Sequence, residues 1–140
     1  MALRWTSALE IGVPEIDKQH EELFERVDRL YEAILAKDRA GAVRFLDYLR
    51  DYVEQHFQLE DGLMEALSYP DRAAHTAEHA HFAGVVADLT RTLLAQGATA
   101  GLVHRVEREV TAWLSTHIYS ADLALGRFVQ ARHPREALAG

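Results

Sequence analysis

Five histidines and one glutamate stand where helical periodicity calls for apolar side chains. The first apolar series reads Ile16, His20, Leu23, Val27, Leu30, Ile34, and the second Leu46, Leu49, Val53, His56, Glu60, Leu63, Leu67. The third reads His75, His79, Phe82, Val86, Leu89, Leu93, and the fourth Val103, Val106, Val110, Trp113, His117. All the steps are three or four residues, the spacing of a helical stripe that faces a core. A polar group buried without a partner costs about 1–3 kcal/mol. Six such groups would cancel most of a domain's margin of about 5–15 kcal/mol. A single core histidine is ordinarily satisfied by a hydrogen bond. Six polar groups spread over four helices need one common partner, and a metal ion is the economical one. Imidazole suits iron, zinc, copper and nickel alike.

The remaining histidines read as surface residues. His81 falls between two stripe positions, His104 is followed by Glu107 and Arg108, and His133 is in the tail. The heights of the other five agree with one site. His20 is early in the first run, His56 late in the second, His75 and His79 early in the third, His117 late in the fourth. In an antiparallel bundle those places share one end. His56/Glu60 and His75/His79 are i,i+4 pairs, which puts both members on one face, one turn apart. A second carboxylate is needed to balance charge, and Asp122 is the candidate. It follows His117 by five residues, about 140° away on a regular helix. Asp122 therefore reaches the site only if the helix bends or ends near Ile118–Ala121, and a break is expected there.

The elements that must position these residues are four helices. Pro14 suits the first turn of a helix. The first run ends in the polar turn Lys37–Gly41, the second at Ser68-Tyr69-Pro70-Asp71, where proline blocks continuation, and the third at Gln96-Gly97. Residues 97–101 are small and flexible. Each run is about 20 residues, hence about 30 Å long, and short connections favour antiparallel neighbours. The expected fold is all-α: an up-down-up-down antiparallel four-helix bundle, a single domain over residues 1–140, with an irregular arm over about residues 1–13.

Composition narrows the function classes. The chain has 140 residues, no cysteine, and a net charge of −7 with histidine neutral. The absence of cysteine excludes a disulfide framework, a zinc ribbon, an iron–sulfur cluster and a thiol nucleophile. An acidic chain without a basic block lacks the footprint of a nucleic-acid or anionic-membrane binder. No apolar run approaches the roughly 18 residues of a membrane span, and MALRWTSALE contains no apolar signal core. A soluble cytoplasmic protein is expected, and its well-charged helix faces suggest a monomer.

The set of motifs resembles the hemerythrin family in its single-domain bacterial form. The matching pieces are Ile16-Asp17-Lys18-Gln19-His20, His56-Phe57-Gln58-Leu59-Glu60, Tyr69-Pro70, His75 and His79 before Phe82, and Trp113-Leu114-Ser115-Thr116-His117-Ile118 with Asp122 behind it. The segment from Trp5 to Gly12-Val13 is similar as well. Asp61 stands where many relatives have a second glutamate, a minor departure that is not expected to affect ligation. The resemblance implies two non-haem irons joined by an oxo or hydroxo bridge, and reversible binding of dioxygen. It implies that His75, His79 and His117 hold one iron, that His20 and His56 hold the other, and that Glu60 and Asp122 bridge them. With six-coordinate irons, the first is then full and the second keeps one open position. It also places Leu23, Trp113 and Leu114 around the bound oxygen.

Other functions share this ligand set. A di-iron enzyme acting on peroxide or nitric oxide needs access for a second substrate. An oxygen- or iron-responsive regulatory module needs a partner protein to read its state. A zinc or manganese protein would use the same imidazoles. Carriage fits the ligands better than oxidation chemistry does. The ferritin-like di-iron sites use four glutamates and two Glu-x-x-His motifs, whereas two carboxylates and five neutral donors stabilise high-valent iron less.

Overall fold

The computed structural model describes residues 5–132. Its main elements are four long helical runs: α1 (Pro14–Leu35), α2 (Arg39–Ala66), α3 (Arg72–Gln96) and α4, which continues from Ala100 to Arg132. They form an antiparallel up-down-up-down bundle with one hydrophobic core. Among the described residues, no helix is long and apolar enough to cross a membrane.

The helix ends follow local chemistry. Pro14 occupies the first turn of α1. The Asp38 carboxylate caps α2 by accepting from the Gly41 N–H at 2.9 Å, and the Thr99 hydroxyl accepts from the Leu102 N–H at 3.1 Å at the start of α4. Each supplies an acceptor for an N–H that has no partner inside its helix. α3 stops at Gly97, whose φ of 81° suits glycine.

Over its described residues, 5–13, the arm is irregular, as expected, apart from one 3-10 turn at Ser7–Leu9. Asp17 ties it down, accepting from the N–H groups of Ile11 at 2.7 Å and Gly12 at 3.2 Å. On the other side the arm presses against Gly126 of α4. A Cβ at that position would lie 2.1 Å from the Ile11 carbonyl oxygen, so only glycine permits the approach.

The stripes of α1 and α3 are buried as the sequence predicts, every member at 5 % exposure or less. In α2 the prediction holds through Glu60. Beyond it, Met64 is fully buried while Leu63 and Leu67 are half-buried. His81 and His104 are exposed; His133 lies outside the described residues.

The break expected near Ile118–Ala121 is a bend and not an end: the fourth helix shifts its register there through a π-helical segment, Ile118–Asp122, and then runs on to Arg132. A second π segment, Val106–Thr111, lies nearer its start. From Leu102 to Asp122 one buried stripe of α4 runs in steps of four, Leu102, Val106, Val110, Leu114, Ile118 and Asp122, with His117 buried beside it, while Val103 and Trp113 are only half-buried. On an uninterrupted α-helix a stripe with steps of four drifts by about 40° per step. Leu102 and Asp122 would end about 200° apart. A π turn closes i→i+5 and takes up one extra residue. Two of them leave eighteen ordinary steps of about 100°, which is five whole turns. The two π segments thus bring Asp122 back to the face that Leu102 presents to the core.

Candidate metal centre

Four helices deliver seven polar side chains to one buried point. His20 comes from α1, His56 and Glu60 from α2, His75 and His79 from α3, His117 and Asp122 from α4. All seven are at most 5 % exposed, and Glu60 is at 0 %. The structure brings together all seven candidate ligands.

The two carboxylates divide the histidines into two sets. Oε1 of Glu60 lies 3.2 Å from His75 Nε2 and 3.1 Å from His79 Nε2. Oε2 lies 3.0 Å from His56 Nε2 and 3.5 Å from His20 Nε2. Asp122 repeats the division. Oδ1 lies 2.9 Å from His75 Nε2 and 3.1 Å from His117 Nε2, and Oδ2 lies 3.0 Å from His20 Nε2. One oxygen of each carboxylate therefore faces His75, His79 and His117. The other faces His20 and His56. Each set, with both carboxylates, gathers its ligand atoms within 4.8 Å of one another.

These contacts are close, yet several are not hydrogen bonds. His20 Nε2, Glu60 Oε2 and both oxygens of Asp122 are buried with no hydrogen-bond partner. Their lone pairs converge on shared points instead of pairing donor to acceptor. Between His79 Nε2 and His117 Nε2 the distance is 3.1 Å. Two nitrogens bonded at about 2.1 Å to one cation at a right angle lie about 3.0 Å apart. The orphaned buried atoms, together with a nitrogen pair at that spacing, fit a cation in each set, and buried polar atoms otherwise need partners.

The electrostatics show the same demand for positive charge. Burial disfavours the charged form of His20 and His75, but Asp122 and Glu60 outweigh it and push both up to about 9. Burial likewise opposes charging of His117, and Asp122 and then Glu78 raise it. At His79 burial wins over Glu60, and its pKa is lowered. Burial alone would raise Glu60, but His20, His56 and His75 hold it well below the usual carboxylate range. Asp122 is held low too, with burial and Glu60 overcome by His117, His20 and His75. Without a metal, protons on imidazoles supply the charge that two buried carboxylates require.

Residues 11–128 match the family described as the Hemerythrin HHE cation binding domain. The chain is 36 % identical over 133 residues to the bacteriohemerythrin of Methylococcus capsulatus, covering 94 % of this chain and 100 % of that protein. The chain belongs to the hemerythrin family. A bacteriohemerythrin of Stenotrophomonas maltophilia is 33 % identical, over 92 % of this chain and 82 % of its own. Among solved structures, a wild-type hemerythrin superposes with a TM-score of 0.82 at 34 % identity, over 92 % of this chain and 98 % of that one. The cofactor of the hemerythrin family is a di-iron centre, and the histidine and carboxylate cluster here is able to bind metal ions.

Around the cluster, aromatic rings hold the imidazoles. Trp113 stacks on His117, with centroids 4.5 Å apart and planes 9° apart, and also on Phe82 at 4.4 Å. Phe57 stacks on His79 at 3.7 Å and 3°. Trp113 thus stands on the three-histidine side, against the ring of a candidate ligand. Leu23 and Leu114 are buried at 0 % and 2 % exposure. Trp5 of the arm packs edge-on against Phe24 at 5.8 Å and lies 6.3 Å from the His20 ring, covering the two-histidine side.

Two partners of the cluster carry no signal in the stripe pattern. Gln19 Oε1 lies 2.7 Å from His56 Nδ1, and Glu78 Oε1 lies 2.9 Å from His117 Nδ1. Each immediately precedes a candidate ligand in sequence, on a neighbouring helix from the ring it meets. In the sequence both look like ordinary solvated helix residues, and only the packing of the helices reveals their role.

Proposed function

We propose that this protein binds dioxygen reversibly at a pair of irons, as a cytoplasmic monomer. One iron is held by His75, His79 and His117, the other by His20 and His56, with Glu60 and Asp122 bridging. The observation that carries this reading is the division of both carboxylates, one oxygen toward each histidine set. When bound, the iron pair supplies the electrons that dioxygen takes up on binding and returns on release.

The chain's own residues decide where the ligand binds and how long it stays. Counting donors, the three-histidine set offers three nitrogens and two oxygens, the two-histidine set two nitrogens and two oxygens. The side of His20 and His56 is one donor short, and a binding metal needs such an opening. Leu23, one turn beyond His20, and Leu114, one turn before Ile118, put buried apolar surface at the cluster and exclude water and anions from it. Trp113 and Phe57 fix the rings of His117 and His79, and Trp5 closes the arm over His20.

A groove of about 490 Å³ between α2 and α3 reaches His79 beside Phe57. It approaches the set that already has its full complement of donors. A second substrate entering there meets no opening, which favours carriage over turnover of peroxide or nitric oxide. The net charge of −7 opposes self-association.

The test is one preparation followed by spectroscopy. Iron-loaded protein should contain two irons per chain and gain a visible absorption band in air that argon removes and air restores. Predominantly zinc after growth in iron-replete medium, or a band that argon does not reverse, would sink the proposal. Steady consumption of peroxide or nitric oxide would favour an enzyme instead.

A further inference from the structure

The two histidine sets are each tied outward through one ring nitrogen, and the ties differ in charge. His117 meets the carboxylate of Glu78 at 2.9 Å, while His56 meets the amide oxygen of Gln19 at 2.7 Å. The other imidazole of the smaller set gains nothing comparable, since His20 Nδ1 is buried without a hydrogen-bond partner. With Nε2 turned to the carboxylate cluster, Nδ1 carries the proton and donates it outward.

A carboxylate draws on that proton more strongly than an amide oxygen does. Hydrogen bonds with an ionised acceptor are roughly twice as strong as neutral ones. The imidazole left behind is more basic and bears more negative charge, which favours the more highly charged of two cations. Orientation alone is not what Glu78 adds, because Trp113 already fixes the His117 plane by stacking on it.

We propose that Glu78 and Gln19 are positioning residues that polarise the metal pair. The position faced by His75, His79 and His117 prefers the higher charge, and the position faced by His20 and His56 the lower. This rests on the ligand assignment proposed above and adds the outer partners that make the two positions unequal. Glu78 is 46 % exposed, so its bare charge is screened. Its effect passes through the bond to His117 and survives high salt.

The experiment compares iron-loaded wild type with Glu78→Gln, Glu78→Ala and Gln19→Glu. Glutamine at 78 keeps an oxygen that can accept from His117 and removes only the charge. Midpoint potentials are read by spectroelectrochemistry, and iron loss by transfer to a ferrous chelator under argon. Glu78→Gln should move the first oxidation to a more positive potential and release one of the two irons about tenfold faster. Glu78→Ala should do the same to a similar degree. Gln19→Glu should shift the potential the other way and slow release. The apo-protein titrated with Zn²⁺ alone should show one of its two sites weakened about tenfold in Glu78→Gln. If Glu78→Gln matches wild type in potential and release while only Glu78→Ala departs, Glu78 merely positions the ring and the proposal is overturned. A different failure marks the ligand assignment: His117→Ala that still holds two irons.

Discussion

α2 and α4 each send a histidine and a carboxylate into the same site, and they do it by different means. In α2 the pair is His56 and Glu60, four residues apart on an unbroken α-helix. In α4 it is His117 and Asp122, five residues apart, brought together by the π segment Ile118–Asp122. The first arrangement needs nothing beyond helical periodicity. The second needs a defect in the helix, a π turn, which is rare and frequently found at functional sites. A spacing of five between two residues that must share a face is thus a direct statement about backbone geometry. Periodicity arithmetic alone reveals it.

The sharpest way to break this comparison is to change the count in α2. Deleting Gln58 turns everything after it by about 100°, which carries Glu60 and Met64 off the core face together. We expect loss of both irons and severe destabilisation, read by metal analysis and thermal melting. Glu60→Ala should lose the paired site with the helix intact, because two cations then face each other with less negative charge between them. His81→Ala, on the exposed face, should keep both irons. Iron binding retained in Glu60→Ala and lost in His81→Ala would overturn the face assignment.

Removing the metal is the next largest effect. The apo-protein must hold two buried carboxylates against protonated imidazoles. His20 and His75 are raised from 6.5 to about 9. Their contribution is fully present below the unfolded value of about 6.5 and is lost as the pH climbs through about 9. Glu60 and Asp122 are depressed, so their contribution is present above about pH 4 and is lost in more acid solution. The apo-protein should therefore melt highest near pH 5–6.5 and be several kcal/mol less stable by pH 9. With iron bound, the metal replaces those protons and the alkaline loss should vanish. Melting curves of apo and loaded protein across pH 5–9 check this; an apo-protein as stable at pH 9 as at pH 6 would contradict it.

Leu114→Ala is a smaller, more local change. Leu114 is 2 % exposed, and the cavity should cost about 2–5 kcal/mol. Iron content should be kept, while the oxygenated form decays faster because water and anions gain entry. Decay spectra of variant and wild type test it; equal decay with two irons present would reduce Leu114 to a packing residue.

How much of the molecule is legible in the sequence depends on whether a residue's role lies along its own helix or across to another. The stripes of α1 and α3, and six of the seven candidate ligands, can be read because burial along one helix leaves a period of three to four; Asp122 is reached through the need to balance charge. The bend before Asp122 can be read because its spacing breaks that period. The π segment at Val106–Thr111 cannot. Val106 and Val110 stand four apart, which a regular helix also allows, and only the drift summed over the whole of α4 exposes it. The same drift explains the exchange of Trp113 for Leu114 at the buried position. Gln19 and Glu78 are invisible for another reason. Their partners are His56 and His117 on other helices, and nothing in a solvated helix face announces such a bond.

The gentlest test sharpens the comparison most, because it predicts almost no effect from a change that ought to be drastic. Deleting a residue from a helix normally rotates everything beyond it. Ser120 is exposed, inside the π segment, and its hydroxyl donates to the Thr116 carbonyl at 2.7 Å. Removing it takes out the one extra residue that the π turn accommodates. The segment can then close as ordinary α-helix, with Asp122 four residues after His117, the spacing that His56 and Glu60 already use. Leu125, Gly126 and Val129 stay on the core face, since the register beyond the bulge is preserved. We expect the Ser120 deletion to keep two irons, to melt within a few degrees of wild type, and to shift the visible spectrum only slightly through a small change in the Asp122 oxygens. The matched deletion of Gln58 in α2 destroys the site. If both deletions abolish iron binding alike, the π segment is no spare residue in the register, and the geometry that places Asp122 has another source.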